Sequence, residues 1–227
     1  MVDIDCYQHG GKDVPRVSRI ARLYAEPGDS DKLADWACFE AIRSGERGAW
    51  RVVRDEAASI GTEAHALIEA VLSESDIEFE PTQKALAACR SWVELRARIG
   101  SNFELVATEH QLTCSTYGGT IDAIAKIDGR TFVIDWKTGS KIRLSDKLQA
   151  AAYVMLCKHN GIDVDAALIV RIGKKLNVIE AQELEIAGPE LNAYVSVFIN
   201  LIEINKVLSS IKKARAKTIV KQEVSDV

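Results

Sequence analysis

The spacing of apolar residues changes twice along the chain. At the N-terminal side, Leu33, Trp36, Ala37, Phe39 and Ile42 recur at helical intervals after the break Pro27-Gly28-Asp29-Ser30-Asp31, and Ser44-Gly45 ends that helix. The helical pattern returns over 46–74, is interrupted at 78–81, and resumes over 83–99 up to Gly100. At Phe103 the period shortens to that of strands: 103–114 reads as one strand, Tyr117-Gly118-Gly119 as the turn out of it, and 119–127 as a second. Asp128-Gly129 between two apolar runs is the strongest short-range hairpin signal and leads into TFVIDWKTG, residues 131–139. A helix over 145–160 follows, then strands over 164–172 and 176–184 about Gly173-Lys174-Lys175. Gly188-Pro189-Glu190 opens a last, long helix with Leu191, Tyr194, Val195, Phe198, Leu201, Ile202 and Leu208 on its apolar side. Ahead of all this, 1–14 reads as a polar, poorly ordered lead-in, and 15–24 as a short helix with Ser18 at its N-cap.

This order predicts an α/β domain with a mixed sheet. It divides the chain into the lead-in (1–14), a helical segment (15–100), a sheet-and-helix core (101–211) and a basic tail (212–227) that starts with five basic residues in ten. A length of 227 residues is enough to bury a substantial core, and 47% hydrophobic with 27% charged residues is a globular composition. The net charge of -4 gives no global basic field, although a local groove can be basic on an acidic body. Five scattered cysteines with no CxxC pair read as reduced thiols rather than a zinc or iron–sulfur framework. The polar N-terminus, and the expectation that no apolar run reaches the roughly 18 residues of a span, predict a cytoplasmic protein without a membrane partner.

The chemistry gathers around 131–139. Strand side chains alternate, so Asp135 and Lys137 share one face and Trp136 points to the other. A hairpin closed at 128–129 brings Asp122 abreast of Asp135, with Cβ atoms about 5 Å apart, where like charges are destabilising. A cation removes that penalty, which makes a hard-metal site one reading and a strand-end salt bridge the other. Upstream, His65 and Glu69 stand one helical turn apart behind Gly61, whose place in a helix suggests a close backbone approach or a break. A lone helical histidine is more often a packed residue than a ligand. Glu109, inside the first strand, reads as solvent-facing and only a secondary candidate, while Gln149 and Tyr153 share a face of the following helix.

Taken together, Gly61-Thr62-x-x-His65-x-x-x-Glu69, Gly119-Thr120-Ile121-Asp122, Ile134-Asp135-Trp136-Lys137-Thr138-Gly139 and Gln149-x-x-x-Tyr153 resemble the RecB-like exonuclease branch of the PD-(D/E)xK nuclease superfamily. VPRVSRI and the segment before His65 are similar to phage-type exonucleases and to the mitochondrial genome maintenance exonuclease. The resemblance covers about residues 14 to 160, with its four motifs in the family's order. It implies a restriction-endonuclease-like core, a mixed central sheet flanked by helices, with an N-terminal helical elaboration. It implies magnesium or manganese held by His65, Asp122, Asp135 and the Trp136 backbone carbonyl, with Lys137 as the catalytic lysine. Glu69 and Glu109 would lend acidic support, and Gln149 and Tyr153 would line the groove. Lys141, Arg143, Lys147, Arg16, Arg19 and Arg22 are candidate phosphate contacts, each also readable as a solvated surface charge. The four cysteines that hold an iron–sulfur cluster in some relatives are lacking, so none is expected. The implied activity is exonucleolytic hydrolysis of single-stranded DNA ends in recombination, repair or replication, beside a single-strand-binding or recombinase protein. A flap or structure-specific endonuclease and a non-catalytic nucleic-acid-binding module are the alternatives.

Overall fold

The computed structural model describes residues 6–24, 29–99 and 102–225. The N-terminal stretch differs from expectation. From Cys6 onward the lead-in is a hairpin, β1 (Cys6–His9) and β2 (Lys12–Pro15), turning on Gly10 and Gly11 at φ 56° and 75°. It is held by contacts that sequence spacing does not announce: the Tyr7 hydroxyl lies 2.9 Å from the Thr120 hydroxyl, and His9 Nδ1 lies 3.1 Å from Thr113 Oγ1. Residues 1–5 of the expected lead-in lie outside the described residues. The next helix, α1 (Val17–Ala21), starts from Arg16 without a side-chain cap. Ser18, expected as its N-cap, sits inside it, and its carbonyl accepts the Arg22 N–H at 3.2 Å.

Part of the predicted break, at 27–28, and the Gly100 stop also fall outside the described residues. Between them run α2 (Asp29–Ser44), α3 (Ala49–Ser73) and α4 (Gln83–Ile99), the last with the expected bounds. Gly45, at φ 75°, ends α2 in the left-handed conformation that glycine adopts without strain.

The sheet is built from β3 (Phe103–Thr113), β4 (Gly118–Ile127), β5 (Arg130–Lys137), then, after helix α5 (Leu144–His159), β6 (Ala166–Ile172) and β7 (Ala181–Ile186). Its five strands lie in the order β3-β4-β5-β6-β7, antiparallel except for the parallel β5–β6 pair joined through α5. The β4–β5 turn has positive φ at both Asp128 (49°) and Gly129 (81°), as a two-residue primed hairpin requires. Its ladder, Ala123↔Ile134 through Ile127↔Arg130, is the predicted register. β7 begins five residues later than the apolar run 176–184 suggests. β6 ends at Ile172, which pairs with Ala181, so Leu176, Val178 and Ile179 have no strand to pair with and stay exposed in the connection.

Helices cover both faces. On one, α1, α5 and the long α6 (Gly188–Ser225) bury Ile20, Leu148, Leu156 and Phe198 against Ile124 and Val133. On the other, α3 and α4 bury Ile68 and Trp92 against Ala125, Ile134 and Trp136. This is a restriction-endonuclease-like mixed α/β fold. The expected basic tail continues α6 to Ser225. Over Gly188–Arg215 α6 is long and apolar enough to cross a membrane by length and composition, contrary to the expectation that no run reaches that length. Its Leu191, Phe198, Leu201 and Ile202 are nevertheless packed in the core.

Candidate active site

Two neighbouring strand ends and two helices from opposite faces of the sheet meet at one place. α3 buries Ile60, Ala64, Leu67 and Ile68, a stripe at helical spacing that holds the neighbouring His65 at the sheet's end. His65 Nδ1 lies 3.5 Å from Asp122 Oδ2, and its ring meets Trp136 edge to face at 6.2 Å. Asp122 Oδ2 also accepts the Trp136 backbone N–H at 2.8 Å, which ties the end of β5 to β4. Gly61 sits where a Cβ would come within 3.0 Å of Thr138 Oγ1, so the close approach its sequence position suggests is real.

Glu109 is the residue that sequence spacing ranked too low. It lies between the pairs Thr108↔Ala123 and His110↔Ile121, which places it across from Asp122. Its φ of 41° is left-handed, an uncommon conformation for a non-glycine residue within a strand. Ligand atoms of His65, Glu109 and Asp122 all lie within 4.8 Å of one another. The signal was present but misaligned: Thr113 pairs with Gly118 and the Cys114 N–H bonds the Tyr117 carbonyl at 2.9 Å, so the turn falls earlier than 117–119. A turn over 114–117 aligns Glu109 opposite Asp122.

Asp135 and Lys137 share the opposite face from Trp136, as alternation predicts. Asp135 is almost fully buried, and Lys137 Nζ stands 2.9 Å from its Oδ1 and 2.7 Å from its Oδ2. Oδ2 nevertheless accepts no well-directed hydrogen bond. Lys137 donates onward to Gln149 Oε1 at 3.3 Å, and Gln149 Nε2 donates to the Tyr153 hydroxyl at 2.8 Å. Tyr153 is buried, and it explains Gly119: a Cβ there would stand 2.6 Å from Tyr153 Cε1. The sequence-derived set thus assembles in two linked groups, His65–Glu109–Asp122 and Asp135–Lys137–Gln149–Tyr153.

The electrostatics follow from burial and crowding. Burial, then the charges of Asp122 and Glu69, pushes Glu109 up to about 7. Burial pushes Asp135 up to about 6, opposed by Lys137 and reinforced by Asp122. For Lys137, burial works against the charge, but Asp135 and Asp122 outweigh it and hold the ammonium above its ordinary value. For His65 burial again works against the charge, but the bond to Asp122 together with the charges of Asp122 and Asp135 outweighs it, and the imidazole is raised.

An open cleft of about 520 Å³ lies over the first group, lined by Gly61, Thr62, His65, Glu69, Glu109 and Asp122 among others. None of the six basic candidates lines it. Arg16 packs over the Tyr7 ring at 5.3 Å with its Nε buried and unbonded, Lys147 packs over the Tyr194 ring at 5.6 Å, and the Arg143 backbone N–H bonds Asp146 Oδ2 at 2.8 Å. Arg19, Arg22 and Lys141 are exposed. The donor set of one imidazole and two carboxylates whose ligand atoms lie within 4.8 Å of one another fits a divalent cation, which would offset the charge of Asp122 that adds to burial in raising Glu109 and Asp135.

Several solved structures are similar. An alkaline exonuclease from Laribacter hongkongensis aligns over 90% of this chain and 94% of its own, at 14% identity and a TM-score of 0.39. A phage related exonuclease from Haemophilus somnus 129PT aligns over 86% of this chain and 95% of its own, at 13% identity and a TM-score of 0.41. The protein SSO0001 aligns over 53% of this chain at 20% identity and a TM-score of 0.30, and the chain spans only 59% of its length. No curated protein sequence matches. The family model described as PD-(D/E)XK nuclease superfamily matches residues 37–218, a span that takes in both linked groups of site residues, and the chain belongs to that superfamily.

Proposed function

We propose that this nuclease is a divalent-metal-dependent exonuclease that hydrolyses DNA from single-stranded ends. The observation that carries the reading is the half-buried Lys137 ammonium, fixed between Asp135 and Gln149 beside the His65–Glu109–Asp122 cluster. His65, Asp122 and Glu109 would hold magnesium or manganese, with Asp135 Oδ2 and the Trp136 carbonyl as further donors and Glu69 as acidic support. The bound cation supplies polarisation of a phosphoryl oxygen and a water acidic enough to attack near neutral pH.

The chain's own residues do the remaining work. The water oxygen bonds to phosphorus as the bond to the leaving sugar oxygen breaks, and negative charge builds on the phosphoryl oxygens. Lys137, kept charged by its two aspartates, donates to that charge rather than serving as a base. Gln149 and Tyr153 hold the lysine's direction from behind the cleft, which neither of them lines. Arg16, Arg19, Lys141, Arg143 and Lys147 remain proposed contacts to the strand outside the cleft. The single-strand preference rests on the resemblance of the motifs.

The test is incubation of the protein with end-labelled single-stranded, duplex and circular DNA in magnesium, manganese or chelator. Ladders from a free end that vanish in chelator are expected. Lys137→Ala should slow cleavage on the order of 10² to 10³-fold, the effect of losing one preorganised charge-stabilising donor, while strand binding persists. Cutting of closed circles would establish an endonuclease instead, and no cleavage of any DNA in either metal would end the nuclease reading.

A further inference from the structure

α2 and the first part of α3 stand away from both cores. None of residues 49–59 is buried, and α2 packs chiefly on α3. Phe39, Ile42 and Val52 are 59%, 83% and 69% exposed. At the turn between the two helices the apolar surface is interleaved with positive charge. Trp50 meets Trp36 edge to face at 6.2 Å, and the guanidinium groups of Arg51 and Arg54 lie 4.8 and 5.2 Å from the centroid of the Trp50 indole. Over residues 43–54 there are four arginines, Arg43, Arg47, Arg51 and Arg54, against one acid, Glu46. Two of the four have partners nearby: Arg43 bonds Glu40 and Arg54 bonds Asp55, each at 2.7 Å. Arg47 and Arg51 are exposed.

This patch is in line with the cleft. Arg54 and His65 are eleven residues apart, about three turns, so they lie on the same face of α3 about 16 Å from each other. Gly61, Thr62, His65 and Glu69 form the cleft's α3 wall, and the same face runs from them to Arg54. We infer that the turn between α2 and α3 and the N-terminal half of α3 are the landing for the part of a single strand that extends beyond the cleft, with a base stacked on Trp50 and phosphates on Arg47, Arg51 and Arg54. The charge decides between occupants: an indole with guanidiniums lying over its ring offers a stacking platform and cations together, as a nucleic-acid strand requires and a second apolar surface does not. The inference rests on the nuclease reading for the identity of the ligand and adds where the strand goes.

The experiment titrates the full-length protein in chelator with labelled single strands of about 6 and about 24 nucleotides, lengths on either side of common single-strand site sizes. Trp50→Ala should weaken the long strand about tenfold, within the range for one lost base stack, and Trp50→Phe should restore most of that. The double variant Arg51→Ala/Arg54→Ala should reduce the magnitude of the salt slope on the long strand by about 1.4, or about 0.7 for each lost phosphate contact. The short strand, held by the cleft, should weaken less than about threefold with Trp50→Ala, since it forms no stack on Trp50. Unchanged affinity for the long strand in both variants, or equal losses on both lengths, overturns the inference. So does sedimentation showing a dimer that Trp50→Ala dissolves while DNA affinity holds, which would make the patch a self-association face. Cleavage of the short strand by the unmodified protein in manganese is read separately and decides the nuclease reading alone.

Discussion

α5 and α3 reach the same strand ends from opposite faces of the sheet, and they arrive in different states of confinement. α5 is buried over most of its middle, from Leu148 through Ala150, Ala151, Ala152, Tyr153 and Val154 to Leu156 and Cys157. Its polar contribution, the Gln149–Tyr153 pair that steers Lys137, is therefore fixed by packing on nearly every side. α3 is anchored by Ile60, Ala64, Leu67 and Ile68 and is unburied for eleven residues before them. It brings a ligand candidate, His65, from a helix held at one end. The difference is that the Asp135–Lys137–Gln149–Tyr153 half of the site is built into the core, whereas the His65–Glu109–Asp122 half opens onto the cleft.

That contrast can be broken most forcefully on the α3 side by removing chemistry without removing packing. His65→Ala should cut end-labelled single-strand cleavage in manganese on the order of 10² to 10³-fold, comparable to losing one preorganised electrostatic group. If the activity is unchanged, the cluster with Glu109 and Asp122 is not the metal site. Next in size is a stability comparison by urea unfolding. Leu148→Ala, fully buried on α5, should cost about 2 to 5 kcal/mol, while Val52→Ala on exposed α3 should stay within about 0.5 kcal/mol. Equal losses would show that the N-terminal half of α3 is packed after all. Smaller again is Gly119→Ala, whose new methyl must displace the buried Tyr153 ring at about 1 to 3 kcal/mol. Its sharper readout is cleavage, which should fall because Gln149 moves with Tyr153, whereas Gly61→Ala meets only the Thr138 hydroxyl and should be milder on both counts.

The same difference in confinement explains what the sequence could reveal. Elements whose signals are local were legible: α4 between its breaks, the Asp128-Gly129 hairpin, the alternation that separates Trp136 from Asp135 and Lys137. The α5 face of the site was legible too, because Gln149 and Tyr153 are one turn apart on a single helix. Elements fixed by distant partners were not. The β1–β2 hairpin is held through Tyr7 and His9 to Thr120 and Thr113, more than a hundred residues away. β7 starts where β6 offers a partner, not where its apolar run starts. Glu109 reads as solvent-facing because a charged residue in a strand is usually solvated, while the actual turn and a left-handed backbone bring it toward Asp122. The Trp50 patch was hidden for the opposite reason. The apolar stripe Leu33, Trp36, Ala37, Phe39 and Ile42 that leads to it has helical spacing like a buried one, and only the packing shows that Leu33, Phe39 and Ile42 stay exposed.

The finest test of the comparison uses pH, because α5 carries a buried titrating group, Cys157, whereas none of residues 49–59 on α3 is buried. Burial pushes the Cys157 thiol up to about 12 from an ordinary 9.0. The folded chain therefore keeps a proton that the unfolded chain releases, so this group's stabilisation is whole below pH 9 and is lost as the pH climbs toward 12. Each such group steepens the loss by at most about 1.4 kcal/mol per pH unit. Tyr117, whose hydroxyl donates to the Ala152 carbonyl at 3.2 Å, is raised by burial in the same direction, and so is Cys89 on α4. Urea midpoints at pH 8, 9 and 10 should accordingly fall with a slope that Cys157→Ala makes shallower and Val52→Ala leaves as it was. A Cys157→Ala slope equal to that of the unmodified chain would mean that α5 opens to water in the native state, and the confinement assigned to that side of the site would be wrong.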